Sequence, residues 1–438
     1  MLLDPILFMN PEEVDDRFLV ATYYCAIKPS QNVMKFAAAL AVEQTTGTWV
    51  PVPEETPEVR KNFIGRIVGI YEAPAYQIGI PEDVTERHFI IQIAYPWRNF
   101  GPMFSMMLTT TIGNISSSGK VKLVDINFPK EFLSDFKGPK FGIEGIRNYL
   151  GVYNRPLVLN MIKPCTGIDP KVTAKLAYEA AIGGIDVIKD DELVANPKHC
   201  PLVERVKAVM EALKRADEEK GEKTIFTFNI TDRTEKLRDN AYRAIEAGAN
   251  GLMLNYFPIG LDAARMICED PNIRVPLLAH ADFTGAVYES PWSGLSAKLI
   301  RGKLVRLAGF DVCLVSSPYG KFPNLIETIF NMVFTLTTPL QHIKPSFPAI
   351  SGGTTQGHVE EIINQFGDDV VIAVGGAVHG HPMGAIAGAR AFRQAIDAVK
   401  SGISIEEAGR KYKELGKALD AWGIYKSVKK SGLFDIKS

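Results

Sequence analysis

The chain has 438 residues, 46% of them apolar and 23% charged, and a net charge of −1. That length is too great for one small core and predicts two domains, while the even charge balance excludes a global basic field for nucleic acid or an anionic membrane. No apolar run approaches the roughly 20 residues of a membrane span, and Met1-Leu2-Leu3-Asp4-Pro5 lacks the basic-then-apolar pattern of a secretion signal. The five cysteines (Cys25, Cys165, Cys200, Cys268, Cys313) form no CxxC pair, so reduced thiols in a cytoplasmic protein are expected.

Residues 18–28 read as a strand and 31–43 have helical spacing. Segments near 62–71, 88–95 and 120–127, rich in Ile and Val, read as further strands. Residues 1–135 are therefore expected to form a small α+β domain. From about residue 154 short apolar runs alternate with helical patterns. The runs are 156–162, 185–189, 224–229, 251–255, 275–280, 311–316, 347–351 and 370–374, with helix-like stretches such as 170–182, 202–219, 235–247 and 295–307 between them. Eight strand–helix units in roughly 250 residues have the rhythm of a (β/α)8 barrel; a doubly wound open sheet is the alternative. Residues 136–438 are assigned to the barrel. After a helix over 389–400, a tail with helices expected over 404–415 and 417–426 covers its outside.

The second apolar run ends in Lys189-Asp190-Asp191-Glu192. On an extended strand Lys189 and Asp191 share a face, with Glu192 just past them. Two carboxylates there suit a hard cation such as Mg²⁺. A lysine that has captured CO₂ as a carbamate would add a third oxygen ligand, a modification that sequence alone does not record. A plain lysine–acid ion pair is the other reading. Polar residues also end the other strands: Lys163, Asn229, Asn255, His280, Ser351-Gly352-Gly353 and Gly375-Gly376. Catalytic groups of such barrels lie at the C-terminal strand ends. The two glycine pairs, after strands seven and eight, let backbone N–H groups approach a phosphate, and Lys321 after strand six is placed to fold over it.

These motifs resemble the RuBisCO superfamily, the large-subunit fold and its RuBisCO-like proteins. Residues 184–192 resemble its carbamylated-lysine metal motif. Residues 375–382 resemble the glycine run after its last strand, and Glu43 to Trp49 with Asn114 resemble N-terminal segments that complete a neighbouring subunit's site. The resemblance implies a barrel carrying a smaller ferredoxin-like α+β domain, with Mg²⁺ held by Lys189 as its CO₂ carbamate, Asp191 and Glu192. It implies Lys163 near the substrate carbonyl, and a substrate and phosphate site formed by Glu43, Thr48, Trp49, Lys321, Ser351, Gly352, Gly353, Gly375 and Gly376. His280 and Asn114 also match site positions. A homodimer with shared active sites is implied, and larger assemblies of such dimers are compatible with it.

Three positions depart from a true carboxylase: Ala281 stands for an arginine, Leu314 for a histidine and Cys165 for a lysine. Losing these cations removes most of the attraction for a second phosphate dianion. The expected substrate therefore carries one phosphate and a neutral or apolar far end. The implied activity is Mg²⁺-assisted removal of a proton beside a carbonyl, with the carbamate oxygen or Lys163 as base. Ser317-Pro318-Tyr319-Gly320 and residues 378–382 look like the methionine-salvage enolases, RuBisCO-like proteins acting on 2,3-diketo-5-methylthiopentyl 1-phosphate. That branch has a lysine as general base where this chain has Asn114. Other branches isomerise or decarboxylate related sugar phosphates. The rival readings are a true carboxylase with an altered second phosphate site and a non-catalytic metabolite-binding protein.

Overall fold

The computed structural model describes residues 4–47, 50, 52–320 and 323–425. Four antiparallel strands build the N-terminal sheet: β1 (Phe18–Ile27), β2 (Arg66–Glu72), β3 (Arg87–Pro96) and β4 (Val121–Asn127). In β1 buried and half-buried residues mostly alternate, the pattern of a sheet with one face on a core. The helix Val33–Glu43 starts where Asn32 Oδ1 accepts from the N–H groups of Met34 and Lys35, the usual role of an Asn cap. With the helix Phe104–Ile112 before β4, the unit reads strand–helix–strand–strand–helix–strand in sheet order β4-β1-β3-β2, which is ferredoxin-like.

Eight parallel strands close the barrel: β5 (Leu157–Met161), β6 (Val187–Lys189), β7 (Ile225–Asn229), β8 (Leu252–Asn255), β9 (Leu277–His280), β11 (Val312–Ser316), β12 (Phe347–Ser351) and β13 (Val371–Val374). The open-sheet alternative is thereby set aside. The lumen is a packed core that includes Leu157, Leu159, Val187, Ile225, Leu314 and Ala373. Ile146 and Leu150, on the helix Gly142–Leu150, join that core near the first residues of the strands. The N-terminal end of the barrel is therefore plugged, and the C-terminal end is left as the mouth.

Between β9 and β11 lies the short strand β10 (Gly294–Leu295), which leaves the barrel and pairs in parallel with β4. Ser296 follows it, donating its N–H to Leu123 O and its hydroxyl to Val124 O. Lys298 and Lys303 both reach Asp125, at 2.8 and 2.6 Å. The helix expected from residue 295 accordingly starts four residues later, at Leu299. The strand expected near 62–71 is also corrected: Pro57–Phe63 is a helix, capped by the Thr56 hydroxyl at Val59 N–H, and the strand begins at Arg66. The first tail helix is shorter than expected, Ile405–Lys411, and the second starts four residues earlier than expected, as Lys413–Trp422. Among the described residues no helix is long and apolar enough to cross a membrane.

Candidate active site at the barrel mouth

Strand alternation decides which side chains face the mouth. Val187 is in the lumen core, so Lys189 points inward one step higher. The same parity turns Asn255, His280, Ser316 and Ser351 inward at the ends of β8, β9, β11 and β12. Strand β6 stops at Lys189, so the period-two argument does not carry on to Asp191 and Glu192. Instead Glu192 turns back. Its Oε2 accepts from the Lys189 amine at 3.0 Å, and that amine also donates to Asp190 O at 2.7 Å. Asp191 faces Lys163, whose amine donates to Asp191 Oδ2 at 2.7 Å and lies 2.9 Å from Cys165 Sγ.

His280 extends the Lys189–Glu192 pair, while Lys163 and Asp191 pair separately beside it. Its Nε2 is 3.2 Å from Glu192 Oε2 and its Nδ1 is 3.3 Å from Asp282 Oδ1. Burial alone would raise the Glu192 pKa, but the bond to His280 and the charge of Lys189 outweigh it and hold the carboxyl well below its usual range. Burial likewise opposes the charge on Lys163, and Asp191 and Cys165 overcome it, so its pKa is raised. Asn229 Nδ2 donates to Glu192 O at 3.1 Å and Asn255 Nδ2 to the same oxygen at 3.0 Å. These two amides hold the backbone that carries both acids. Asp190 points away from the mouth and pairs with Arg205 at 2.9 Å, both side chains being buried.

Gly375 follows β13, and a Cβ there would stand 3.2 Å from Lys163 Cε, so the strand-eight glycine leaves room for the Lys163 side chain. Gly352 and Gly353 hold φ at +106° and +92°, values that favour glycine. A Cβ on Gly320 would fall 1.3 Å from Gly352 O. The loop after β11 thus crosses directly over the glycine pair after β12. Ser351 is turned to the strand beside it, its hydroxyl donating to Val315 O at 2.9 Å. Thr48, Trp49 and Lys321 lie outside the described residues. Glu43 and Asn114 meet at 3.4 Å and line a cavity of about 400 Å³ on the N-terminal unit that none of the mouth residues line.

Sequence reasoning passed over several contributors. His379 Nε2 is 2.9 Å from Asn160 Oδ1, and Asn160 Nδ2 donates to Val374 O. The amide oxygen therefore accepts, which places the histidine proton on Nε2. Burial and the nearby Lys163 push the His379 pKa down to about 4. Arg301, also buried, donates to Ser316 Oγ at 2.6 Å and to Leu314 O at 3.2 Å. The signal for His379 was its place in the run after the last strand; Arg205 and Arg301 left no mark beyond helical spacing.

The model of the ribulose bisphosphate carboxylase large chain catalytic domain matches residues 142–422, and that of its N-terminal domain matches residues 9–132. The chain belongs to the RuBisCO superfamily. A ribulose bisphosphate carboxylase-like protein of Archaeoglobus fulgidus is 51% identical over 393 residues, 90% of each chain. A 2,3-diketo-5-methylthiopentyl-1-phosphate enolase of Geobacillus kaustophilus is 38% identical over 412 residues, covering 93% of this chain and 98% of that one. The solved structure of a RuBisCO-like protein from Alicyclobacillus acidocaldarius superposes with a TM-score of 0.86 at 35% identity, covering 94% of this chain and all of that one.

Proposed function

We propose that this RuBisCO-like chain is an enolase-type enzyme. It takes a proton from the carbon beside a carbonyl in a sugar-like or diketo monophosphate, and a methionine-salvage diketone of the 2,3-diketo-5-methylthiopentyl 1-phosphate kind is the favoured substrate. The name of the Geobacillus relative supports that substrate. The observation that carries the reading is the meeting at the mouth of two charged groups, Lys163 with Asp191 and Lys189 with Glu192 and His280.

The donor set fits a carbamate and a divalent ion. With both lysines charged, Lys163, Lys189, Asp191 and Glu192 sum to zero. Capturing CO₂ turns Lys189 from +1 to −1 and leaves −2, the complement of one Mg²⁺. Lys189, Asp191 and Glu192 would hold the ion, which when bound polarises a carbonyl and eases loss of the neighbouring proton. Lys163, kept charged by Asp191, is suited to return a proton to the enolate. Asn229 and Asn255 fix the acid-bearing backbone. The glycine pairs offer backbone N–H groups to the phosphate. His280 orients the substrate from the end of β9.

The smallest active unit in this reading is a homodimer, with Glu43 and Asn114 reaching a partner's mouth; their cavity, lacking any mouth residue of its own chain, supports this. All five cysteines are free thiols, in keeping with a cytoplasmic enzyme. The test is proton exchange in D₂O with Mg²⁺, bicarbonate and a panel of ketose and diketo monophosphates, followed by NMR. Deuterium uptake beside the carbonyl that depends on Lys163 is expected. No uptake across the panel would favour the metabolite-binding alternative. Incorporation of ¹⁴CO₂ into ribulose 1,5-bisphosphate would overturn the reading of Ala281, Leu314 and Cys165.

A further inference from the structure

The ladder between β9 and β11 reaches only Val312 and Cys313. Beyond it Arg301, in the turn Leu299–Lys303 that follows β10, stands in for the missing strand bonds. Its Nη2 donates to Leu314 O at 3.2 Å, and its Nη1 donates to Ser316 Oγ at 2.6 Å and to Tyr288 Oη at 3.2 Å. The reaction proposed above gives none of these groups a part.

Arg301 is 8% exposed, yet among the described residues no carboxylate pairs with it, and its buried Nε has no hydrogen-bond partner. Arg306, also buried, shows the difference. Its Nε, Nη1 and Nη2 all donate to backbone carbonyls, those of Lys344, Thr335, Thr338 and Ile343, as a purely structural arginine should. A buried charge without a counter-ion is costly, so Arg301 points to a group that arrives from outside. The route to that group is Ser316. Because Ser316 Oγ accepts from Arg301, its own proton is left to be donated, and no described residue accepts it. Ser316 is half-buried and faces the mouth at the end of β11. It lies two residues past Leu314, which stands where a carboxylase has a histidine for its second phosphate.

We propose that Ser316, polarised by Arg301, is a specificity-determining residue that donates a hydrogen bond to a terminal hydroxyl of the substrate, at the end away from the phosphate. The class that fits is a ketose monophosphate with a free hydroxyl on its last carbon, taken beside the methionine-salvage diketone. One O–H with a guanidinium behind it suits one oxygen acceptor. It is too little for a phosphate dianion, which takes several charge-assisted bonds. A thioether sulfur accepts only weakly, so the methylthio end of the diketone draws little from this contact. The inference rests on the enolase reading for the direction in which the substrate lies. The contact itself is one of binding and is measured without turnover.

The test is isothermal titration calorimetry of the full chain, with Mg²⁺ and bicarbonate, against ribulose 1-phosphate and its 5-deoxy counterpart, which differ only in the terminal hydroxyl. Wild type is expected to bind the hydroxyl-ended sugar about tenfold or more tightly than the deoxy sugar. Ser316→Ala should bring the two affinities within about twofold of each other, and Ser316→Thr, which keeps a hydroxyl, should retain the preference. Binding of the deoxy sugar shows that each variant is folded. Equal affinities in wild type, a preference that Ser316→Ala leaves intact, or no binding of ribulose 1-phosphate would each overturn the proposal. A preference lost in Ser316→Ala, with no deuterium exchange in any substrate, would sink the enolase reading and support this contact.

Discussion

Replacing Arg205 by Met leaves a buried acid without its counter-charge directly beneath the two acids of the mouth. Arg205 is wholly buried. It contacts Asp190 Oδ2 through Nε at 3.1 Å and Nη2 at 2.9 Å, and its other bonds go to Cys200 O and Ala195 O, each at 2.6 Å, and to Cys200 Sγ at 3.8 Å. Methionine fills much of the volume and supplies none of these donors. Breaking a buried pair from one side costs about 3–5 kcal/mol. Asp190 keeps one bond, from Asn229 N–H at 2.9 Å, which sets the expectation toward the lower end. The loss should depend on pH. Burial already raises the Asp190 pKa against the pull of Arg205, and without Arg205 it rises further. A raised carboxyl pKa means that the folded state holds a proton the unfolded chain has released, so stability falls as pH rises through that interval. The deficit of Arg205→Met should therefore be larger at pH 7.5 than at pH 5. Urea unfolding followed by tryptophan fluorescence measures both, and adding Asp190→Asn should recover about 2 kcal/mol. A deficit below about 1 kcal/mol, or one equal at the two pH values, would refute the reasoning.

Other expectations concern the mouth itself. Lys163→Met should lower substrate deuterium exchange by about 10²–10⁴-fold with the fold intact by circular dichroism; exchange within threefold of wild type would remove Lys163 from the chemistry. Because His379 is depressed to about 4, the unfolded chain takes up a proton at this residue between pH 6.5 and 4 that the folded chain refuses, and stability drops as pH falls. Wild type should lose about 3 kcal/mol more than His379→Gln over that range, read from paired urea titrations. Gly320→Ala should drive the crossing loop off Gly352 and raise the inhibition constant of inorganic phosphate by about tenfold or more, equivalent to the 1–3 kcal/mol of an overpacked contact. Mixing Lys163→Met with Glu43→Ala chains should restore about a quarter of wild-type turnover. Half the random dimers would be hybrids, each with one intact shared site; no recovery after verified subunit exchange argues for sites within one chain.

The barrel was legible because parallel strands covered on both faces read as continuous apolar runs, and residues 311–316 and 370–374 are such runs. The polar residues at their ends, Lys189, His280 and Ser351, were legible for the same reason, since each interrupts an apolar stretch. What each one touches was not. The strand rule that placed Lys189 and Asp191 on one face fails because β6 ends at Lys189, and the chain then turns Asp191 to Lys163. Arg205 sits on a long helix where arginine usually marks solvent; the buried Asp190 and the carbonyls of Cys200 and Ala195 explain its position. The strand β10 has two residues and no pattern of its own. It exists because β4 offers an unpaired edge, so residue 295 leaves the helical rhythm that its neighbours follow. The helix at Pro57 was signalled by Thr56-Pro57, a cap followed by a proline suited to a first turn, just ahead of Ile67, Val68 and Ile70, which do form the strand.

The pairing of β10 with β4 also governs how this molecule can be dissected. A cut near residue 135 would leave the catalytic fragment with a short strand and no sheet to receive it, while the excised N-terminal fragment would present β4 as a bare edge. Bare edges recruit other chains, so that fragment should self-associate. The span from His280 to Gly294 would meanwhile lose its distal mooring and with it the fixed bearing of the β9 loop. Fragments intended for separate expression would therefore keep the folded shell of each half but forfeit the alignment that the mouth depends on.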